Sequence, residues 1–432
     1  MGRGEVSLRM RIRPGAVAGL MLLGVLALAL WAQAAQGQAP GETCRACHAR
    51  EYDAWAMSAH AHAAESKAFL ALVGAATQEW GTDGCTRCHA PRTQGDTSTA
   101  DGVSCQACHL VERVDGVGNG AFRLAADGVM RSARAGQAPH PTSASPLFSD
   151  PLFCAACHEQ YHPVSGVALQ STYTEWVNSA DAHGGRTCQA CHMSGTSPDH
   201  AFGAGAMDAA AKGEAPGRAI DLQVRWPESV RAGSPLVVDA RLENTGAGHA
   251  LPTGKPEGYE MWLEMTATAG GETLFTEALP YGVVYADSKG NYQPRVSSLD
   301  AASLFVDHRM FPGRPVQERF AFVVPTDVRG RVEVEVRLMY RRAPLWLSER
   351  LGLPAAEAVV VRRASASLAV LEPLPTPTYV APTPTATLMP TPTPALEAVG
   401  VLEERGWLGP FLLVGGLVLL GVAAWALKAR AV

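Results

Sequence analysis

Two stretches in the second half of the chain alternate strictly between apolar and polar positions. The first places apolar residues on one face, as Leu236, Val238, Ala240 and Leu242. The second places them at Val332, Val334, Val336 and Leu338, between charged residues. A period of two is that of a β-strand with one buried face, and glycine and proline turns separate the runs. The pattern predicts an antiparallel, all-β, sandwich-like domain over residues 219–370.

A longer apolar run lies near the N-terminus. Pro14 to Trp31 carries no charge, follows three arginines and is followed by alanine, glutamine and glycine. This order of a basic region, an apolar region and small residues is typical of an export signal. We therefore expect residues 1–37 to be a signal peptide, with an uncleaved anchor as the alternative.

A second uncharged run, from Trp407 to Leu427, lies near the C-terminus. At about 1.5 Å per residue it would span roughly 31 Å as a helix, which matches the hydrocarbon core of a bilayer. Lys428 and Arg430 follow it, and positive charge favours the cytoplasmic side. We expect a transmembrane helix over 407–427, with a buried core helix as the alternative, and the rest of the chain on the outer face of the cell membrane.

Residues 373–394 are rich in proline and threonine. Such a composition does not build a core. In polyproline II geometry this linker would extend for up to roughly 70 Å. It is therefore predicted to separate the β-domain from the membrane.

The most informative feature of the composition is the number and spacing of its cysteines. The chain has 432 residues, a net charge of −5 and no basic stripe, which argues against a nucleic-acid partner. All ten cysteines fall in five copies of C-x-x-C-H, numbered here as motifs 1 to 5. The motifs are Cys44, Cys47 and His48; Cys85, Cys88 and His89; Cys105, Cys108 and His109; Cys154, Cys157 and His158; Cys188, Cys191 and His192.

This motif is the attachment sequence of c-type haem. The two thiols add to the vinyl groups of one porphyrin, and the adjacent histidine becomes the proximal iron ligand. Disulfides would not explain a histidine after every second cysteine, and zinc sites do not require it. The sequence therefore predicts five covalently bound haem c groups within a domain of residues 40–213. So many porphyrins in so short a domain predict short helices and long loops packed around haem.

Eight other histidines are candidates for the sixth iron position. They are His60, His62, His140, His162, His183, His200, His249 and His308. Methionine is the other candidate ligand, as Met57, Met193 or Met207, and it would raise the potential. An internal repeat matches residues 52–62 to residues 173–183, with Asp181 in place of His60 and His183 aligned with His62. The repeat alone favours His62 or His183, whereas His162 and His308 are weaker candidates.

The order of these segments resembles a known family. "DGVSCQACH", "PHPTSASPLFSDPLFCAACH", "TYTEWVNSADAHGGRTCQACHM" and "HAFGAG" are similar to multihaem c-type cytochromes related to the tetrahaem carrier of nitrifying bacteria and to hydroxylamine oxidoreductase. The resemblance covers about residues 40–205. It implies distal ligation by His60, His140 and His200, and it places His60 ahead of His62. His183 departs from the pattern.

A further candidate lies in the turn after the first predicted strand. The stretch "NTGAGHALPTG" resembles a segment shared by multihaem cytochromes that carry an appended β-domain. We interpret His249 as a ligand that extends from the β-domain to a haem of the other domain. Gly246 and Gly248 would allow close backbone approach to the porphyrin.

Two functions fit these features. In the first, mostly bis-histidine haems carry electrons between redox partner proteins or a membrane electron-transfer complex. In the second, one open haem makes the chain an oxidoreductase for a small nitrogen or sulfur compound. All five motifs end in histidine and none in the lysine typical of nitrite reductases. The sequence therefore favours electron transfer over catalysis, and it identifies no catalytic residue.

Overall fold

The computed structural model describes residues 40–65, 67–80, 83–93, 101–194, 199–203, 219–292 and 297–375. These residues belong to one compact unit, which ends at Pro375. The predicted signal peptide, the transmembrane segment 407–427, Met207 and the linker from residue 376 lie outside the described residues. Within the described ranges, no helix is both long enough and apolar enough to cross a membrane.

The cysteine-rich half is built from short helices. They are α1 (Pro40–Arg45), α2 (Ala49–Ala56), α3 (Lys67–Trp80), α4 (Asp83–His89), α5 (Cys105–His109), α6 (Leu152–Ala155), α7 (Thr172–Val177), α8 (Ala180–His183) and α9 (Cys188–His192). Motifs 2, 3 and 5 each lie entirely within one helix. Ser104 and Thr187 cap α5 and α9, because their side-chain oxygens accept the N–H of Ala107 and Ala190.

Short strand pairs connect these helices. β1 (Val111–Val114) pairs with β2 (Phe122–Leu124), β3 (Met130–Ser132) with β4 (Thr142–Ala144), and β5 (Gln160–Tyr161) with β6 (Ala168–Gln170). The apolar cluster of this half that lies around motif 2 is small, with Ala64, Phe69, Val73 and Ala90 as its buried members. Short helices and a small side-chain core are what a domain packed around porphyrins requires.

The second half is rich in β-structure. Its strands are β7 (Ile220–Arg225), β8 (Ser229–Arg231), β9 (Pro235–Asn244), β10 (Tyr259–Ala269), β11 (Glu272–Ala286), β12 (Ser303–His308), β13 (Val316–Val323), β14 (Arg331–Arg342) and β15 (Ala358–Leu371), with helix α10 (Leu345–Leu351) before the last strand. One sheet has the order β12-β11-β10-β14-β15-β8, and the other has the order β13-β9-β7. The β15–β8 pair is parallel and the other pairs are antiparallel.

The two sheets share one hydrophobic core. The alternating residues of β9, from Leu236 to Leu242, and of β14, from Val332 to Leu338, are buried in the same cluster. Phe320 of β13 is fully buried among them. The prediction of strands in both stretches is therefore confirmed, as is the face of each strand that turns inward.

The β-rich half packs directly on the cysteine-rich half. The hydroxyl of Tyr285 on β11 donates to the carbonyl of Ala168 on β6 at 2.9 Å. Leu169, Tyr285 and Ala301 form a small buried cluster at this contact. The Oγ of Ser165 also donates to the carbonyl of Ala301 at 2.7 Å. These contacts fix the position of the β-domain relative to motif 4.

Candidate haem sites

The ten motif cysteines, all of them described, carry thiol groups that form no disulfide in the structure. They stand for the thioether sulfurs that haem attachment would create. Burial raises the pKa of Cys108 to about 12 and that of Cys105 to about 11. A histidine directly follows the second cysteine of every pair, which covalent haem attachment requires and a zinc site does not. This arrangement fits covalent attachment better.

Cysteines of different motifs lie side by side. Thiol pairs within hydrogen-bond reach are Cys44 with Cys105, Cys88 with Cys157, and Cys154 with Cys188. The pKa of Cys154 is raised by its contact with Cys188, by burial and by the nearby thiol of Cys108. These contacts bring motif 1 to motif 3, motif 2 to motif 4 and motif 4 to motif 5, with motif 3 also next to motif 4.

Four motif histidines each face a second histidine ring. The ring centroids are 6.4 Å apart for His48 and His140, 6.1 Å for His158 and His60, 6.3 Å for His109 and His200, and 6.3 Å for His192 and His249. The corresponding angles between ring planes are 42°, 73°, 22° and 15°. Each pair joins a motif histidine to one of the predicted distal histidines.

This separation is the one that an iron atom between two imidazoles requires. A metal–imidazole bond is about 2.0 Å long, and the bonded nitrogen lies about 1.1 Å from the ring centre, so two axial rings have centroids about 6.2 Å apart. Directly stacked rings would lie closer, as Phe69 and His89 do at 4.4 Å. The four pairs therefore fit an iron between their rings.

Several of these rings are held in the tautomer that ligation needs. The Nδ1 atoms of His89, His109, His140 and His249 lie 2.8, 2.6, 3.2 and 3.0 Å from the carbonyl oxygens of Ala63, Arg131, Pro141 and Ala250. A carbonyl only accepts, so Nδ1 carries the proton and donates it. The lone pair is then on Nε2, which is the atom left for iron.

The His60–His158 pair is the most deeply enclosed. Burial, followed by the charge of neighbouring histidines, lowers the pKa of His158 to about 3 and that of His60 to about 4. Both rings are therefore neutral at physiological pH, and the neutral imidazole is the form that binds a metal. The Nδ1 of His60 is buried without a hydrogen-bond partner in the structure.

His89 of motif 2 differs from the other four motif histidines. Phe69 stacks on its ring, and its Nδ1 donates to the carbonyl of Ala63. Burial lowers the pKa of His89, the hydrogen bond to Ala63 opposes this, and Lys255 lowers it further. Within the described residues, no other histidine ring lies opposite His89 at a ligand-pair distance. Motif 2 is thus a site with one histidine.

The remaining histidines use their ring nitrogens elsewhere. His62 bonds Glu65 and the carbonyl of Ala56, and His162 bonds the carbonyl of Leu299 and two backbone N–H groups. His308 contacts Pro280 and Glu318. His183 ends α8, and the described contacts do not bring it opposite a motif histidine. The structure therefore groups His60, His140, His200 and His249 with motif histidines, and leaves His183 apart.

The internal repeat has a structural counterpart. The indole N–H of Trp55 donates to the carbonyl of Val103 at 2.8 Å, and that of Trp176 donates to the carbonyl of Arg186 at 3.0 Å. Each of these carbonyls lies two residues before the first cysteine of a motif. The two copies of the repeat therefore each hold the segment that enters a motif, motif 3 in the first case and motif 5 in the second.

The loop that carries His249 lies against the second copy of the repeat. A Cβ added at Gly248 would meet Asp181 Oδ2 at 3.0 Å and Trp176 Cδ1 at 3.2 Å. The side chain of Asn244 donates to the carbonyl of His249 at 2.7 Å. Glycine at position 248 thus allows the backbone to approach closely enough for His249 to face His192.

The sequence interpretation missed Glu175, which accepts the backbone N–H of Ala250 beside His249. A signal for it was present in the repeat, where Glu175 replaces Ala54 of the first copy. A charged residue at one of two otherwise similar positions indicates a contact that only one copy makes. Glu175 also forms an ion pair with Arg309, and no feature of the sequence indicates a role for that arginine.

Comparison with known proteins supports the cytochrome-like architecture. Residues 43–110, which include motifs 1 to 3, match the family described as cytochrome c554 and c-prime. No curated protein sequence matches the chain. The chain is similar in fold to a penta-haem cytochrome c552 from Thermochromatium tepidum, with a TM-score of 0.59 and 22% identity over 76% of this chain and 98% of that one.

A second comparison is much weaker. A CARDB domain from Pyrococcus furiosus matches with a TM-score of 0.19 and 9% identity, covering 35% of this chain and 87% of that domain. Such a score carries no argument about function. The match to the penta-haem cytochrome c552 supports a region like a multihaem c-type cytochrome joined to a large β-rich domain.

Proposed function

We propose that this chain is a pentahaem c-type cytochrome that transfers electrons through mostly bis-histidine haems. The observation that carries the proposal is the set of four histidine pairs whose ring centroids lie 6.1 to 6.4 Å apart. Bound haem iron supplies one-electron chemistry between its ferric and ferrous states. Where two histidines hold one iron, they would leave no position for a substrate, which suits a carrier.

The proposed ligands follow from these pairs. Sites 1 to 5 take the cysteines and proximal histidines of motifs 1 to 5. The axial pairs are His48 with His140 at site 1, His109 with His200 at site 3, His158 with His60 at site 4, and His192 with His249 at site 5. Site 2 has His89 as its proximal ligand.

The cysteine contacts support a continuous electron path. Cys44 with Cys105 places site 1 beside site 3, and Cys154 with Cys188 places site 4 beside site 5. The thiol of Cys108 joins site 3 to site 4. The porphyrin edges would then run from site 1 through sites 3 and 4 to site 5, with site 2 joined at site 4.

The cellular setting is also part of the proposal. Haem attachment to C-x-x-C-H takes place outside the cytoplasm, and the predicted signal peptide at 1–37 would direct the chain there. The uncharged run at 407–427 would anchor the chain in the membrane, and the linker 373–394 would hold the haems above it. The redox partners would then be exported proteins or a membrane complex.

The test is low-temperature EPR of the oxidised holoprotein, with the spins counted against total haem. We expect four of the five haems to be low-spin. The His60–His158 haem should give the most anisotropic low-spin signal, because its ring planes are 73° apart. Finding two or more high-spin haems would contradict the ligand pairs proposed here.

Site 2 supports a second candidate function. Because no described histidine faces His89, its haem would have a free distal position for a small nitrogen or sulfur compound. Carbon monoxide added to the reduced protein would then bind at one haem per chain. A sixth ligand at site 2 would abolish this binding, and the protein would then be a carrier without catalytic activity.

A further inference from the structure

One carboxylate of the haem half holds the loop that carries His249. Oε2 of Glu175, on α7, accepts the N–H of Ala250 at 3.1 Å and the hydroxyl of Thr253 at 2.9 Å. Oε1 of the same side chain accepts Nη1 of Arg309 at 2.5 Å. Glu175 therefore connects helix α7, the loop on both sides of Leu251, and the segment that follows β12.

The ion pair at this contact is buried. The side chains of Glu175 and Arg309 are only 4% and 7% exposed. Asp307 orients the guanidinium from the other side, since its two oxygens accept Nε and Nη2 of Arg309 at 2.8 and 2.7 Å. A buried charge pair of this kind is rigid, because breaking it leaves a charge without a partner in a low-dielectric environment.

Backbone hydrogen bonds link the ion pair to the segment that carries His249. Met310, which follows Arg309, exchanges two backbone hydrogen bonds of 2.9 Å with Leu251. The carbonyls of Met310 and His249 both accept the side-chain amide of Asn244. The two residues of the ion pair therefore hold the loop from opposite sides, one through Ala250 and one through Leu251.

We propose that Glu175 and Arg309 are positioning residues that keep His249 on the iron of site 5, so that the closure of this haem depends on an ion pair between the two domains. This inference rests on the proposed function in taking His249 as a ligand. It adds that the histidine alone does not ensure ligation. The loop around it contains three glycines and requires an external contact to hold one conformation.

The experiment measures carbon monoxide binding to the dithionite-reduced, full-length holoprotein, with the number of CO molecules bound per chain. The variant H249A should bind one more CO than the natural protein. In E175A and R309M, we expect the CO concentration for half-saturation of site 5 to fall roughly 10- to 100-fold, the usual effect of removing a residue that orients a metal ligand. R309K, which keeps the charge, should bind CO more like the natural protein.

The matched control is D239N, which breaks the Arg319–Asp239 ion pair on the surface of the β-domain, where the two side chains are 70% and 48% exposed. D239N should leave CO binding unchanged. E175Q keeps an oxygen that accepts the N–H of Ala250, so it should fold even if E175A loses haem, and it should show a smaller effect in the same direction.

The outcomes separate the two proposals. If H249A binds an extra CO but E175A, E175Q and R309M bind CO as the natural protein does, the positioning role is wrong and the ligand assignment stands. If H249A binds no extra CO, His249 is not the ligand, and both the assignment and this inference fail.

Discussion

At Gly102, the lack of a side chain allows the backbone to pass close to the carbonyl of His60, a proposed distal ligand. The residue has a φ of +62°, and an added Cβ would lie 2.4 Å from the carbonyl oxygen of Ala61 and 2.7 Å from that of His60. We expect G102A to lower the free energy of unfolding by roughly 2 kcal/mol or more, from backbone strain and the clash together. Denaturant unfolding measures the loss, and EPR should show a weaker signal from the His60–His158 haem.

The variant G128A separates the two causes. Gly128 has a similar φ of +69°, and an added Cβ would meet nothing within 4 Å. It should cost only the conformational strain, about 1 kcal/mol, and leave every haem signal unchanged. If G102A and G128A behave alike, the contact between Gly102 and the His60 segment has no role in placing this histidine.

The residue scale also shows what the sequence could and could not predict about the ligands. The cysteines and proximal histidines follow from local spacing, whose chemistry is contained within five residues. A distal histidine depends on contacts between distant segments: His140 faces His48, and His249 faces His192 from another domain. No local sequence pattern predicts which two histidines face each other. His183 illustrates this, because its repeat position indicates a ligand while its described contacts do not bring it to a motif.

At the scale of elements, each copy of the repeat supports one motif, which is motif 3 for the first copy and motif 5 for the second. Trp176 on α7 donates its indole N–H to the carbonyl of Arg186, just before α9. Replacing it with phenylalanine keeps most of the apolar contact and removes the hydrogen bond. We expect W176F to lower the free energy of unfolding by about 1 kcal/mol and to alter the low-spin signal of site 5. Urea unfolding followed by haem absorbance, together with EPR, tests this.

W262F provides the comparison within the same chain. The indole of Trp262 donates to Glu264 on the same strand at 3.1 Å, away from the haem sites. Its loss should leave all haem signals unchanged. A change in the site 5 signal in W262F, or none in W176F, would show that the tryptophan of the repeat does not support motif 5.

Of all the elements, the strands were the easiest to predict from the sequence. Alternation along β9 and β14 identifies both the strand and its buried face, because side chains of a strand point to opposite sides in turn. The short helices around the motifs have no such pattern. Their positions depend on contacts between distant residues, such as Trp55 with Val103, which are 48 residues apart. Their boundaries therefore could not be read from periodicity.

At the scale of the whole molecule, the contacts between motifs define an order that differs from the order along the chain. Motif 1 meets motif 3, motif 4 meets motif 5, and motif 2 meets motif 4. Sites 1 and 5 then lie at the two ends of the proposed path, and site 5 would be closed by the β-domain if His249 is its ligand, as proposed. The β-domain would therefore have a direct influence on one end of the path.

This arrangement predicts that a change in the β-domain alters the potential of one haem alone. In H249M, methionine replaces the imidazole at site 5, and a methionine ligand raises the potential. We expect one of five midpoint potentials to rise by roughly 100 mV, within the range of about 0.8 V that axial ligands span, so that electrons collect at that end. Spectroelectrochemical titration of the full-length protein measures all five. H183M is the control and should shift none; a shift in H183M with none in H249M would make His183 the ligand of site 5.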